Sequence, residues 1–274
     1  MTVVAAIQMA SGPNVNANLL EAERLINIAV ADGAKLAVLP ENFALMGHKE
    51  TDKLDVCEQS GQGPVQDFLS QQAKKHAIWI VGGTIPLASS SPDRIRAASL
   101  LINDQGEQVA RYDKIHMFDV QLPDNEERYV ESETIEPGTE SVVVDTPFGK
   151  LGMAVCYDLR FPELFRDLLD QGMEILVIPS AFTAVTGRAH WEALIRARAI
   201  ENQCYVIAAA QGGYHASGRE TYGDSMIVDP WGIVLNRLAK SSGVIKAEID
   251  LSRVSRIRET FPALQHRRLY CKVT

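Results

Sequence analysis

Short apolar runs, none longer than a strand, limit what this chain can fold into. Val3–Ile7, Leu36–Leu39, Ala77–Val81, Ile175–Ile178 and Cys204–Ala210 read as buried strands. Between them lie segments with helical spacing. In 16–31, Leu19, Leu20, Ala22, Leu25, Ile26, Ile28 and Ala29 recur on one face and Asp32-Gly33 closes the turn; 65–75 and 189–203 are similar. Strands alternating with helices specify an α/β fold. Residues 97–103 and 107–113 form a predicted hairpin turning at Asn103–Gly106, and Gly82-Gly83 marks a close backbone approach or a bulge. Residues 121–140 read as a long acidic loop, and 224–229, 233–238 and 243–249 as closing strands. The tail from Leu251 to Tyr270 reads as a helix plus an arm that packs on a partner subunit. No repeat or linker divides residues 1–274, so one domain is expected.

Composition removes several classes of function. A net charge of −8 and the absence of a long Lys/Arg run argue against nucleic acid as a partner. The apolar runs fall short of the roughly 18 residues of a membrane span, and the start of the chain reads as a strand without a leader pattern. Cys57, Cys156, Cys204 and Cys271 have no Cys-x-x-Cys spacing, so a reducing, cytoplasmic setting is the simplest expectation.

Three strand ends carry residues suited to chemistry. In Lys150–Leu164 a buried strand turns directly into a predicted helix start, with Asp158 as its cap, Pro162 in its first turn and Gly152 letting another backbone approach. Cys156 sits at the corner, where backbone N–H groups and a helix dipole would lower a thiol pKa and hold an oxyanion. A lone Cys there is equally a small buried hydrophobe. Glu41 follows the strand 36–39 at its carboxyl end, where open α/β sheets place ligands; a surface or capping Glu is the competing reading. Lys114 ends the hairpin among Ile115, Met117 and Phe118, which would desolvate an ammonium that otherwise points to solvent. Phe182 and Thr183, after the strand 175–180, either line a pocket or pack the loop. The usual partner of a nucleophilic Cys is His. His116 and His190 are candidates for a Cys/His hydrolase; His48, His76, His215 and His266 read as loop or surface residues. A carboxylate serves instead if burial raises the Glu41 pKa, with Lys114 and the Tyr157 N–H as oxyanion donors. Neither role needs a metal or cofactor.

Pro40-Glu41-Asn42, Tyr112-Asp113-Lys114-Ile115-His116 and Gly152–Arg160 are similar in order and spacing to the signature blocks of the nitrilase superfamily of carbon–nitrogen hydrolases. Ala189–Glu192, Arg196–Val206, Asp229–Gly232 and Gln265–Arg268 extend the resemblance over nearly the whole chain. It implies a single-domain, four-layer α-β-β-α sandwich that forms a homodimer or higher oligomer. It also implies a Glu-Lys-Cys triad at Glu41, Lys114 and Cys156, and a second buried Glu at Glu131, with Glu126, Glu127 and Glu133 as neighbours. The branch it most resembles hydrolyses small ω-amides bearing a carboxylate, of the deaminated glutathione or α-ketoglutaramate type, releasing ammonia through a Cys thioester. Arg160 resembles the carboxylate-gripping position there; the competing reading pairs it with Glu163. Asp224 departs from the His more often found at its position, which bears on substrate preference. Nitrile or N-carbamoyl hydrolysis, and a non-catalytic binding protein on this fold, are the alternatives.

Overall fold

Thr2–Gln8 is a strand that buries both faces, and its alternation builds two cores at once. Val4 and Ala6 point into one apolar cluster while Ile7 points into another. Its parallel neighbour divides in the same way, with Leu36 and Val38 on one side and Ala37 and Leu39 on the other. The first cluster fills the space between two sheets and continues under the helices of the second; the other cluster lies between the first sheet and its helices. The computed structural model describes residues 1–121 and 128–269.

The first sheet runs Gly243–Ile249, Thr2–Gln8, Leu36–Val38, Trp79–Val81, Ile95–Ile102 and Ile85–Ala88, with Gln108–Asp113 also paired to Ile95–Ile102. Helices α1 (Val15–Ala31) and, after the short α2 (Asp52–Asp55), α3 (Pro64–His76) cover its outer face through Leu25, Ile26 and Leu69. The second sheet runs Val234–Leu238, Ser225–Val228, Tyr205–Ala208, Ile175–Val177, Gly149–Met153 and Val142–Thr146. Helices α4 (Pro162–Asp170) and α5 (Ala184–Asn202) bury Phe165, Leu168, Trp191 and Ile195 against it; α6 (Leu251–Thr260) follows the last strand. The four layers are the expected α-β-β-α sandwich.

Several local expectations need correction. Cys156 does not open an α-helix. Residues Cys156–Arg160 form a 3-10 turn, and α4 starts at Pro162 with Phe161, not Asp158, as its cap. What comes close to Gly152 is the Met173 side chain, 2.5 Å from where a Cβ would stand, rather than a backbone. Helix α5 begins five residues before the periodic stretch, because the Thr183 side chain accepts from the Thr186 N–H. Part of the acidic loop is structured: Arg128–Val130 pairs with Asp119–Gln121, and Glu131–Glu133 is a 3-10 turn. Glu126, Glu127, Tyr270 and Cys271 lie outside the described residues. His215 is buried, not superficial, between the Ser11 carbonyl and the Thr221 hydroxyl.

Of the two readings of Gly82-Gly83, Gly83 shows the close backbone approach. Its φ is +50°, and a Cβ there would stand 2.0 Å from the carbonyl oxygen of Pro40, the residue before Glu41. Gly83→Ala should therefore lower stability by about 2 kcal/mol or more in urea unfolding. A loss within about 0.5 kcal/mol, the usual range for surface changes, would show that the contact is not constraining.

Candidate active site

The parallel strands of both sheets end at one place. Val38 leads through Leu39-Pro40 to Glu41, and Met153 leads through Ala154-Val155 to Cys156. Both junctions use left-handed backbone at a non-glycine residue, with φ of +57° at Asn42 and +49° at Cys156. Such conformations cost on the order of 1–3 kcal/mol and need support from their surroundings. At the first, Asn42 N–H donates to the Thr84 hydroxyl at 2.9 Å, and the Gln211 amide donates to the Glu41 carbonyl at 3.0 Å. At the second, Cys156 N–H donates to the Pro179 carbonyl at 2.9 Å.

Asp158 holds the thiol corner from inside. This fully buried carboxylate accepts from Val155 N–H at 2.9 Å, His116 N–H at 3.0 Å and the Tyr112 hydroxyl at 2.7 Å, and it meets His116 Nδ1 at 2.7 Å. His116 is occupied there and stacked on Phe161, with ring centroids 3.7 Å apart. His190 meets Arg160 at 3.1 Å. Neither His lines the cavity over Cys156, whereas Glu41, Lys114 and Ala181 N–H all act on the thiol. The geometry favours a carboxylate partner over a Cys/His pair.

Lys114 joins the pieces. Its ammonium is buried and bonds Glu41 Oε1 at 2.9 Å and both Glu131 oxygens at 2.7 Å. Phe118 N–H donates to Glu131 Oε2 at 2.7 Å, which fixes that carboxylate. Glu133, a rival for its place, is exposed. Burial opposes the Lys114 charge, but Glu131 and Glu41 hold its pKa well above the usual lysine range. Burial alone would raise Glu41; the Lys114 charge, hydrogen bonds from Cys156 and Lys114, and the Lys53 charge bring it below the ordinary carboxylate value instead. Burial and the Glu41 charge push the Cys156 thiol well up, against weaker help from Lys114 and Ala181 N–H. These directions reverse the expectations from sequence. The corner has no α-helix dipole and its Cys156 N–H is already bonded, while the adjacent carboxylate repels a thiolate. At rest the site holds a neutral thiol, a carboxylate and an ammonium.

The cavity over the thiol, together with the open solvent at its mouth, spans about 500 Å³. Tyr157, Arg160, Phe182 and Thr183 all line it, so Phe182 and Thr183 serve both packing and the pocket. The Arg160 guanidinium lies 5.2 Å from the Phe182 ring centre and 5.7 Å from that of Tyr157. It makes no salt bridge to Glu163; among the described residues its polar partner is His190. Sequence reading missed Asn42, Glu50, Lys53, Tyr129 and Arg219, which also line the cavity. Lys53 is buried on the short α2 and bonds Glu50 at 2.6 Å. Arg219 belongs to the stretch 211–222, where no period marked an element. Asp224 pairs with Arg237, whose Nε donates to it at 2.9 Å, away from this cavity. Among the described residues no group of three or more His, Cys, Asp or Glu side chains is arranged to hold a metal ion, and no helix is long and apolar enough to cross a membrane.

A thiol held neutral by a neighbouring carboxylate has a measurable signature. Iodoacetamide labelling of Cys156, followed by mass spectrometry, should be slow near neutral pH and still rising above the ordinary thiol value of 9.0. A rate that levels off below about pH 7 would mean a preformed thiolate and would contradict the proton assignment.

The family model for carbon–nitrogen hydrolases matches residues 3–259. The chain is 46% identical to deaminated glutathione amidase of Yersinia enterocolitica, over 97% of this chain and 92% of that one. Saccharomyces cerevisiae Nit3, a member of branch 10 of the nitrilase superfamily, superposes with a TM-score of 0.86 at 34% identity, covering 95% of this chain and 94% of that one. The Caenorhabditis elegans NitFhit protein superposes with a TM-score of 0.87 at 39% identity; the match covers 97% of this chain and 65% of that longer one. The chain belongs to the carbon–nitrogen hydrolase family.

Proposed function

We propose that this chain is a thiol-dependent amidase acting on small acids that carry an amide away from their carboxylate, the class of deaminated glutathione and α-ketoglutaramate. The observation that carries the reading is the buried Lys114 ammonium, bonded to Glu41 and Glu131 beside the Cys156 thiol in one cavity. The relatives' amidase activity supports it, as does a cavity-lining Arg160 that has no carboxylate partner among the described residues.

The resting protonation dictates the order of steps. As Cys156 Sγ attacks the amide carbon, Glu41 takes the thiol proton, so no free thiolate accumulates. The oxyanion that forms faces Lys114 and the Tyr157 N–H. Glu41 then gives its proton to the departing nitrogen, which leaves as ammonia from a primary amide or as an amine from a secondary one. The carbon–nitrogen bond breaks and a thioester remains. Glu41, again a carboxylate, takes a proton from water as it attacks the thioester, and the acid and the thiol are restored. Glu131 has both oxygens engaged by Lys114 and Phe118 N–H, which suits it to positioning the ammonium rather than to proton transfer.

Cys156→Ala should abolish turnover, and Glu41→Gln should stall the enzyme at or before the thioester, as read by mass spectrometry of the trapped protein. Near-normal amidase activity in Cys156→Ala would end the proposal. A planar guanidinium binds carboxylate through two parallel bonds, which lysine cannot reproduce. Arg160→Lys should therefore raise KM about tenfold for carboxylate-bearing amides, or roughly 1.4 kcal/mol, and much less for neutral amides. Equal effects on both would remove Arg160 from substrate recognition.

The reading includes a homodimer. Trp231 and Phe261 meet edge-to-face at 5.5 Å, and Ile200 packs where a Gly232 side chain would stand; all three apolar residues, with Ile233, are at least half exposed. An apolar patch of this kind suits a second copy of the chain. Light scattering behind a sizing column should give a dimer that Trp231→Glu weakens; a monomeric wild type would refute it.

A further inference from the structure

The strand Tyr205–Ala208 runs parallel to Ile175–Val177, itself parallel to Gly149–Met153, and Gln211 stands three residues past its end. Glu41 and Cys156 stand at the same offset from their own strands. Gln211 is fully buried, and both ends of its side-chain amide are engaged. Oε1 accepts from Ser11 N–H at 3.0 Å, and Nε2 donates to the Ser11 hydroxyl at 2.8 Å and to the Glu41 carbonyl at 3.0 Å. A flipped amide would set oxygen against oxygen at Glu41 and N–H against N–H at Ser11, so its orientation is determined. The Ser11 hydroxyl donates in turn to the Phe43 carbonyl at 2.8 Å. Gln211 and Ser11 thus hold the carbonyls on either side of Asn42, the left-handed residue that turns the chain after Glu41. His215 holds Ser11 from behind: its Nδ1–H donates to the Ser11 carbonyl at 2.8 Å, and its Nε2 accepts from the Thr221 hydroxyl at 2.7 Å.

The backbone of Gln211 serves the thiol instead. Its N–H donates to the Ser180 carbonyl at 2.9 Å. On either side of Ser180, the Pro179 carbonyl accepts from Cys156 N–H at 2.9 Å, and Ala181 N–H meets Cys156 Sγ at 3.5 Å. One residue therefore joins the Glu41 corner to the segment that supports the sulfur. It does so from outside the cavity, whose lining does not include it.

We infer that Gln211 is a positioning residue that sets the Glu41 carboxyl at its working distance from the Cys156 sulfur, with Ser11 and His215 fixing its amide. This rests on the amidase reading above and deepens it. A proton that passes from sulfur to Glu41 and on to nitrogen is sensitive to placement: a displacement of about 1 Å can cost on the order of a hundredfold in rate. The Glu41 carboxyl faces Lys114 from the hairpin, Cys156 from the thiol turn and Lys53 from α2. Glu131 is bonded to the same ammonium, and Glu50 and Arg219 line the same cavity. Lys114 is the cation bonded directly to Glu41, so a corner that slackens loosens this ion pair as well as the approach to sulfur.

Gln211→Met, similar in length but without the amide, tests it in the full chain. With α-ketoglutaramate its kcat should fall roughly thirty- to a hundredfold while KM stays within about twofold. The pH profile separates a displaced carboxylate from a poorly folded fraction, which lowers the whole curve without moving it. Wild-type kcat/KM should hold down to about pH 5, whereas the acid limb of Gln211→Met should move up by about one pH unit, because Glu41 loses part of its contact with Lys114. Ser11→Ala, which spares the amide, should move kcat and the limb in the same direction by less. Iodoacetamide labelling of Cys156 reads the same displacement without turnover. A carboxylate held less closely repels the thiolate less, so the labelling curve of Gln211→Met should move to lower pH. A Gln211→Met enzyme with kcat within about threefold of wild type, or one whose pH profile and labelling curve keep their wild-type positions, overturns the inference while leaving the amidase reading intact. If the wild type leaves α-ketoglutaramate uncleaved, the amidase reading falls and the labelling curve alone decides the inference: a shift supports it, and an unmoved curve refutes it.

Discussion

A buried ammonium held by two carboxylates is the constraint on which the rest of this structure depends. Removing Lys114 from water costs several kcal/mol, and a single Glu partner only partly offsets that. Glu131 supplies both oxygens and is itself pinned by a backbone N–H, while Glu41 supplies one. The excess negative charge explains why the ammonium stays ionised although it is sealed. The same excess keeps the adjacent thiol from ionising. Electrostatics and geometry are inseparable here: a shift of one partner would leave an unpaired charge in a buried site.

Holding three groups from distant parts of the chain in contact requires a frame that does not yield. The parallel strands provide it, because their registers set Val38 level with Val81 and Met153 level with Val177. Glu41 and Cys156 each stand three residues past their strands, where the backbone is forced through left-handed corners at Asn42 and Cys156, and Lys114 directly follows its own. Those corners are supported by buried polar contacts rather than by loop packing alone. Asp158 ties the thiol turn to Tyr112 and His116 at the end of the Lys114 hairpin, so two members of the trio share one anchor. Arg198 adds to this by donating to the Leu159 carbonyl at 2.9 and 3.1 Å.

Much of this was legible in the sequence, and the reasons differ by residue. Strand runs and helical spacing are local signals, so the two sheets' parallel strands and α1, α3 and α4 were found within a few residues. Glu41, Lys114 and Cys156 stood out because each follows an apolar run directly. Glu131 did not: it lies in an acidic run, and only the family resemblance singled it out before its bonds to Lys114 were seen. The direction of the thiol's pKa was misread because the sequence displays a strand-to-helix corner but not the carboxylate packed against it. His215, Lys53 and Arg219 were missed for a related reason. Their surroundings come from segments distant in sequence: Ser11 beside His215 is 204 residues away, and half-buried Arg219 bonds Ala181, 38 residues away, and lines the same cavity as Lys53.

The neutral thiol also decides how proton transfer and bond formation must be coupled. An enzyme with a preformed thiolate needs a separate acid to protonate the leaving amine. In the proposed mechanism one carboxylate would collect the thiol proton at attack and hold it next to the nitrogen that will need it. Glu41 as a carboxylate is a weak base towards a thiol whose pKa is pushed up, so the transfer is unfavourable until sulfur–carbon bonding begins to draw charge onto the carbonyl oxygen. In that proposal Lys114 would then face a new anion, and its attraction would be redistributed from Glu41 towards that oxygen, raising the affinity of Glu41 for the proton at the moment it arrives. The ammonium thereby links the two halves of the step, and this gives a physical reason for placing it between the carboxylates rather than beside the sulfur alone.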